Sequence, residues 1–172
     1  MLWSTRIGKG GTLGGVQWGS AADQTNVYVA LSDIGRISLS YTTSSDVDPK
    51  AGGGMFALRL ATGERVWYTP APECGDRPRC SPAQSAAVSA IPGAAFSGTM
   101  DGRLRAYSTR DGKLLWEYDT AREFTTVNGV KANGGSMSNS GPAIVGGMLY
   151  VNSGYGAFGS RTGNVLLAFG TP

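Results

Sequence analysis

The sequence contains no histidine. A Ser/His/Asp triad is therefore excluded, as is any metal centre that depends on imidazole. Cysteine is scarce, with Cys74 and Cys80 the only two. They can close one local disulfide or remain two thiols, but they are too few for a zinc site. If the disulfide forms, an oxidising compartment follows. No Cys-x-x-Cys-His occurs, so no c-type haem attaches. Charged residues are few, at 16%, and the formal net charge is +3. The cations are scattered, which argues against nucleic acid as a partner. No apolar run is long enough to span a membrane as a helix. No window of helical period carries both a cap and three turns. The first residues, MLWSTRIGKGG, lack the charged-then-apolar order of a signal peptide. The protein is cytoplasmic, or its leader lies outside this chain.

Glycine is plentiful, at 27 of 172 residues. Val, Leu, Tyr, Phe and Trp come in short runs between the glycines, which suits many short strands joined by turns. One such unit recurs. Residues 106–116, AYSTRDGKLLW, read as strand, Asp-Gly turn, strand. Residues 57–67, ALRLATGERVW, match them without a gap. Ala57 falls on Ala106, Gly63 on Gly112 and Trp67 on Trp116. An internal repeat of this kind decides the architecture. The expected fold is all-β: a β-propeller of four-stranded antiparallel blades, about three of them in this chain. The blades are expected at 16–69, 83–120 and 136–172. Leu2-Trp3-Ser4-Thr5 resembles a closing strand, so strand 1–7 is expected to complete the last, split blade. Polar loops at 40–54, 70–82 and 120–135 link the strands. Three blades alone expose two apolar faces. The chain is therefore read as a partial propeller or as one protomer of a multi-chain ring, with a three-bladed monomer as the lesser alternative.

The first strand of each blade lines a propeller's central channel. Aligning the units on Tyr28, Ala95 and Tyr150 puts the amides Gln17, Gln84 and Asn139 at one repeat position. Trp18, Ser85 and Ser140 come next, then Gly19, Ala86 and Gly141. A ring of amides and hydroxyls suits a polar ligand, and Trp18 suits stacking on a flat one. Inner-strand amides also serve simply to bridge blades or hold channel water. Trp3, Trp67 and Trp116 are expected to pack between blades, and Gly63, Gly112 and Gly163 to form turns. Asp23, Asp33, Asp101 and Glu73 are the acid–base candidates, but no catalytic residue is singled out. Asp46 and Asp48 do not make a calcium loop, and no metal-ligand set emerges.

The repeats DGRLRAYSTRDGKLLW and GGGMFALRLATGERVW resemble those of dehydrogenases that use pyrroloquinoline quinone (PQQ). GGVQWGSAAD, CSPAQSAAVSAIPGAAFSGTMDG and NGGSMSNSGPAIVGGMLYVNSGYG resemble the polyvinyl-alcohol-dehydrogenase-like branch of these quinoproteins. The resemblance implies a propeller of about eight blades, usually exported to the periplasm, with PQQ and calcium in its channel. In that chemistry PQQ takes a hydride from an alcohol, a carboxylate takes the hydroxyl proton, and the metal polarises the quinone. The chain would be the C-terminal part of such an enzyme, oxidising a small or polymeric alcohol to a carbonyl. Gln17, Trp18, Gln84, Ser85, Asn139 and Ser140 would be the cofactor contacts. The remaining blades, or identical chains, would be its protein partners. The adjacent cysteine pair of some members is absent, and no calcium set of Glu, Asn and Asp matches particular positions. The alternative is a non-catalytic scaffold or binding module, as in outer-membrane-assembly lipoproteins that carry the same repeat.

Overall fold

Short runs of residues closed by glycine turns produce fifteen strands and no helix among the described residues, and the central strands 26–31, 54–59 and 103–108 are buried along nearly their whole length. The structure is a computed structural model that describes residues 1–11, 13–38, 45–77, 79–155 and 160–170. The first blade is built from β1 (Ala21–Ala22), β2 (Asn26–Leu31), β5 (Gly54–Arg59) and β6 (Arg65–Pro70), antiparallel in the order β1-β2-β5-β6. The side hairpin of β3 (Arg36–Ser38) and β4 (Ser45–Val47) interrupts it. The expected 40–54 loop thus holds a strand of its own, and residues 39–44 lie outside the described residues. The second blade is β7 (Val88–Ile91), β8 (Ala94–Gly98), β9 (Arg103–Ser108) and β10 (Leu114–Asp119), again four-stranded and antiparallel. A hairpin of β11 (Glu123–Thr125) and β12 (Lys131–Asn133) fills what the sequence presented as the loop 120–135. The third blade has three described strands, β13 (Ala143–Val145), β14 (Met148–Ser153) and β15 (Val165–Gly170). The chain is therefore part of a β-propeller.

The blades stack face to face, with apolar cores between them. Tyr28, Met55, Ala57 and Trp67 of the first meet Val88, Ala95 and Tyr107 of the second. Ala86 and Leu104 of the second meet Leu149 and Val151 of the third, with Met137 between. One latch repeats at the outer edge. Trp67 Nε1 donates to the Thr109 carbonyl at 3.1 Å, and Thr69 Oγ1 donates to the Gly112 carbonyl at 2.6 Å. Gly112 has φ +71°, and a Cβ there would stand 2.6 Å from the Trp67 ring. Both facts demand glycine. One blade earlier, Trp3 Nε1 donates to the Leu60 carbonyl at 3.0 Å, and Thr5 Oγ1 to the Gly63 carbonyl at 2.7 Å. Residues 3–5 thus sit on the first blade as β6 sits on the second. Within the chain they make no ladder with β15. Gly163 does not share the hairpin role given to Gly63 and Gly112. It precedes β15 and packs against the Asn133 carbonyl.

The register also corrects the repeat alignment. Ala57 lies opposite Tyr28, Ala106 opposite Phe96 and Ala168 opposite Tyr150. Phe96, not Ala95, is the counterpart of the two tyrosines. Ala95 instead faces the first blade.

Cys74 and Cys80 form a disulfide that closes the loop after β6. Closing so short a loop is worth about 2 kcal/mol in the chain-entropy account. Reduction is expected to lower the midpoint of thermal unfolding by several degrees, read by circular dichroism with and without reductant. An unchanged midpoint would show that the loop is held by other contacts.

Candidate functional site

The inner strands converge because small residues let them. Val88 N–H donates to the Gly19 carbonyl and Ala87 N–H to the Asn139 carbonyl, both at 2.9 Å. A Cβ on Gly141 would lie 2.5 Å from the Ala87 carbonyl oxygen. Equivalent bonds fix which inner residues correspond. Ser32, Met100 and Gly154 donate their N–H groups to the carbonyls of Gly15, Ala83 and Ser136. Counting from these, Gln17, Ser85 and Ser138 share one position, and Trp18, Ala86 and Asn139 share the next.

A cavity of about 390 Å³ opens at this inner edge, lined by Leu13, Gly14, Gln17, Trp18, Ile34, Met100, Ser138 and Tyr155. Trp18 is 44% exposed, so part of its side chain is accessible at the cavity. Gln17 Nε2 donates to the Leu13 carbonyl, which orients the amide. The remaining sequence candidates are placed differently. Gln84 is 1% exposed, and its amide is engaged at both ends: Nε2 donates to the Gly98 carbonyl, and Oε1 accepts from the Tyr107 hydroxyl at 3.0 Å. Ser85 is buried, with its hydroxyl 3.0 Å from that of Ser32. Asn139 Nδ2 donates to the Asn152 carbonyl, and its Oδ1 accepts from Gly141 N–H. Ser140 is exposed. The structure thus brings Gln17 and Trp18 together and leaves the other four out of that lining. Alignment on Tyr28 and Tyr150 puts Gln17 on Asn139, one residue past Ser138, so only the inner-strand bonds identify Ser138; Met100 and Tyr155 come from loops that carry no repeat signal.

None of the carboxylates considered as acid–base candidates lines the cavity. Asp23 closes the turn before β2 and accepts from the Tyr28 hydroxyl at 2.5 Å. That bond and its backbone partners outweigh burial and hold its carboxyl at about 2. Asp33 is raised by burial but pulled lower overall by the N–H groups of Lys9, Gly15 and Gly10, so it ties down the N-terminal segment. Asp101 is buried. Desolvation raises its carboxyl, but the Arg105 charge, the Thr99 hydroxyl and the Arg103 N–H hold it below the ordinary value. Glu73 is exposed on the disulfide loop. Among the described residues no group of three or more His, Cys, Asp or Glu could hold a metal ion. This donor set does not fit calcium. The lining can stack on a flat ring and hydrogen-bond its edge.

A family model described as outer membrane protein assembly factor BamB matches residues 1–169, and the chain belongs to that family of propeller repeats. Individual curated proteins also match nearly the whole chain. The chain is 45% identical to a polyvinylalcohol dehydrogenase of Pseudomonas sp, and the match covers 98% of this chain and 27% of that protein. A polyvinylalcohol dehydrogenase of Sphingopyxis sp. is 39% identical, over 98% of this chain and 26% of its own length. The chain therefore spans about a quarter of these relatives. Two solved structures also align. A BamB from Moraxella catarrhalis has a TM-score of 0.47 and 17% identity, covering 90% of this chain and 46% of its own. A quinohemoprotein alcohol dehydrogenase from Pseudomonas putida HK5 has a TM-score of 0.42 and 16% identity, covering 83% of this chain and 19% of its own. No helix of the structure is long and apolar enough to cross a membrane among the described residues.

Proposed function

We propose that the chain forms blades of an exported alcohol dehydrogenase of the quinoprotein type, acting on a small or polymeric alcohol with PQQ as oxidant. The observation that carries this reading is the half-exposed Trp18 at the inner cavity, in a chain 45% identical to a polyvinylalcohol dehydrogenase. PQQ is a flat, polar tricycle, and when bound it supplies the hydride acceptor. Trp18 holds one face of the ring, and Gln17 and Ser138 meet its edge. Gln84, Ser85 and Asn139 act one step back, by fixing the inner strands, and Ser140 meets ligand only from the outer lip. The Cys74–Cys80 disulfide supports a periplasmic or exported location. Calcium and the proton-accepting carboxylate come from blades outside this chain.

The test is a fluorescence titration of the chain with PQQ. Saturable quenching is expected. Trp18→Ala should raise the dissociation constant about tenfold, from the loss of one stacked face. Trp18→Phe should recover most of that loss. Absence of saturable binding, or an unchanged constant in Trp18→Ala, overturns the reading and favours a non-catalytic propeller.

A further inference from the structure

Arginines that are scattered along the sequence gather at one place on the folded chain. A small cavity of about 90 Å³ has Arg77, Arg79, Asp101, Asp119 and Arg161 in its lining. These residues come from the disulfide loop, the β8–β9 turn, the end of β10 and the segment before β15. The second and third blades that supply them pack through Leu104, Met137 and Val151. A space of this size holds a few waters or one compact anion.

The lining is held in place by bonds away from the cavity. Arg77 Nε donates to the Cys74 carbonyl at 3.1 Å, Nη1 to the Asp101 carbonyl at 3.4 Å and Nη2 to the Asp101 carboxylate at 3.2 Å. These bonds tie the disulfide loop to the β8–β9 turn. Arg79, two residues on, has φ +52°, a left-handed value that is costly for a residue with a Cβ. Its neighbour Cys80 is locked to Cys74. Backbone held in that region is a feature of ligand sites. Arg161 is fixed by Ser136 on both sides. Its N–H donates to Ser136 Oγ at 3.0 Å, and its carbonyl accepts from Ser136 N–H at 2.8 Å.

The charges around the cavity do not balance. Asp101 is taken by Arg105 at 2.9 Å, Arg77 at 3.2 Å and Arg103 at 3.7 Å. Asp119 pairs with Arg103 at 3.6 Å, and Glu117 pairs with Arg103 and Arg105. Arg79 and Arg161 are left over. Among the described residues neither guanidinium has a hydrogen-bond or ion-pair partner, and both are open to solvent. Two like charges lining one small cavity are costly until an anion stands between them.

We infer that this cavity binds a small tetrahedral oxyanion, phosphate or sulfate, held by Arg79 and Arg161 with the spare N–H groups of Arg77 as a third wall. Three guanidinium walls offer more donors than the two oxygens of a carboxylate can use, which favours the tetrahedral anion. The site is separate from the Trp18 cavity, with which it shares only Met100. Its failure would leave the quinone reading untouched.

Calorimetric titration of the chain with inorganic phosphate at low ionic strength tests the inference. One saturable site per chain is expected. Arg79→Gln and Arg161→Gln should each raise the dissociation constant about tenfold, through loss of one charge-assisted bond. Arg110→Gln removes the same charge from an exposed turn elsewhere and should leave the constant unchanged. Excess PQQ should leave it unchanged too. The inference is overturned by any of four results: no saturable binding, an equal loss in Arg110→Gln, acetate binding as tightly as phosphate, or displacement of phosphate by PQQ.

Discussion

Asp101→Ala is expected to cost about 3–5 kcal/mol of folding stability, a large share of what a domain of this size possesses. Asp101 Oδ2 lies 2.9 Å from Arg105 Nη2 and 3.2 Å from Arg77 Nη2, and its carboxylate also accepts from Thr99 and from Arg103 N–H. Arg105 is 1% exposed, in the middle of the second blade. Without Asp101 its guanidinium keeps only Glu117, at 2.7 Å, and Thr99. An under-compensated buried charge is the costly outcome, more so than the loss of the pair itself. Glu117 is part-exposed and partly offsets the loss, so the lower end of the range applies. Urea denaturation of wild type and variant reads the difference.

The same network predicts an acid limb. The Asp101 carboxyl is held below its ordinary value of 3.8 in the folded chain. Its contribution is therefore complete above that value and is lost as pH falls through the folded one. Asp23, held at about 2, acts in the same direction. Asp101→Asn should flatten the loss of stability on acidification below pH 3.8. A variant that follows the wild-type acid limb would place the titration elsewhere.

Trp67→Ala is the second large effect, at about 3–5 kcal/mol. Trp67 is buried between the first two blades, with its ring centroid 6.1 Å from that of Tyr28. Removing it opens a cavity over Gly112 and orphans the Thr109 carbonyl. Trp67→Phe should cost much less, since it keeps most of the packing and loses chiefly the N–H donor, worth about 1 kcal/mol. Trp116→Ala provides the contrast. Trp116 holds the same repeat position, but it packs edge-on against Phe169 at 5.3 Å and remains partly exposed. Its loss should fall well short of that at Trp67. Equal losses at the two tryptophans, measured by thermal unfolding, would show that the latch between blades is not what makes Trp67 matter.

These contrasts also show which parts of the molecule can be read from sequence. The match of Ala57, Gly63 and Trp67 to Ala106, Gly112 and Trp116 is legible because a latch of indole, hydroxyl and glycine turn tolerates so few residues. Strands and blade order follow from it. The inner strands are harder. Their contacts are backbone bonds between small residues such as Gly19, Ala87 and Gly141, which leave little side-chain signature. Alignment on Ala95 therefore slips by one residue in the second blade, and a one-residue slip turns a strand residue to the opposite face. Gln84 shows the consequence: read as a channel amide, it is buried against Tyr107. Gln17 and Trp18, drawn from the same alignment, lie in the cavity lining. The hairpins β3–β4 and β11–β12 escape sequence reading because they are three-residue strands inside polar stretches, too short to show a period.

The most direct test of the account is a crystal structure of this chain grown with PQQ. The account predicts the tricycle lying against the accessible part of Trp18, between Gln17 and Ser138, with Met100 in the cavity wall. A ring bound away from Trp18, or an inner cavity holding only solvent at saturating PQQ, would contradict the quinoprotein reading and leave the chain a propeller scaffold.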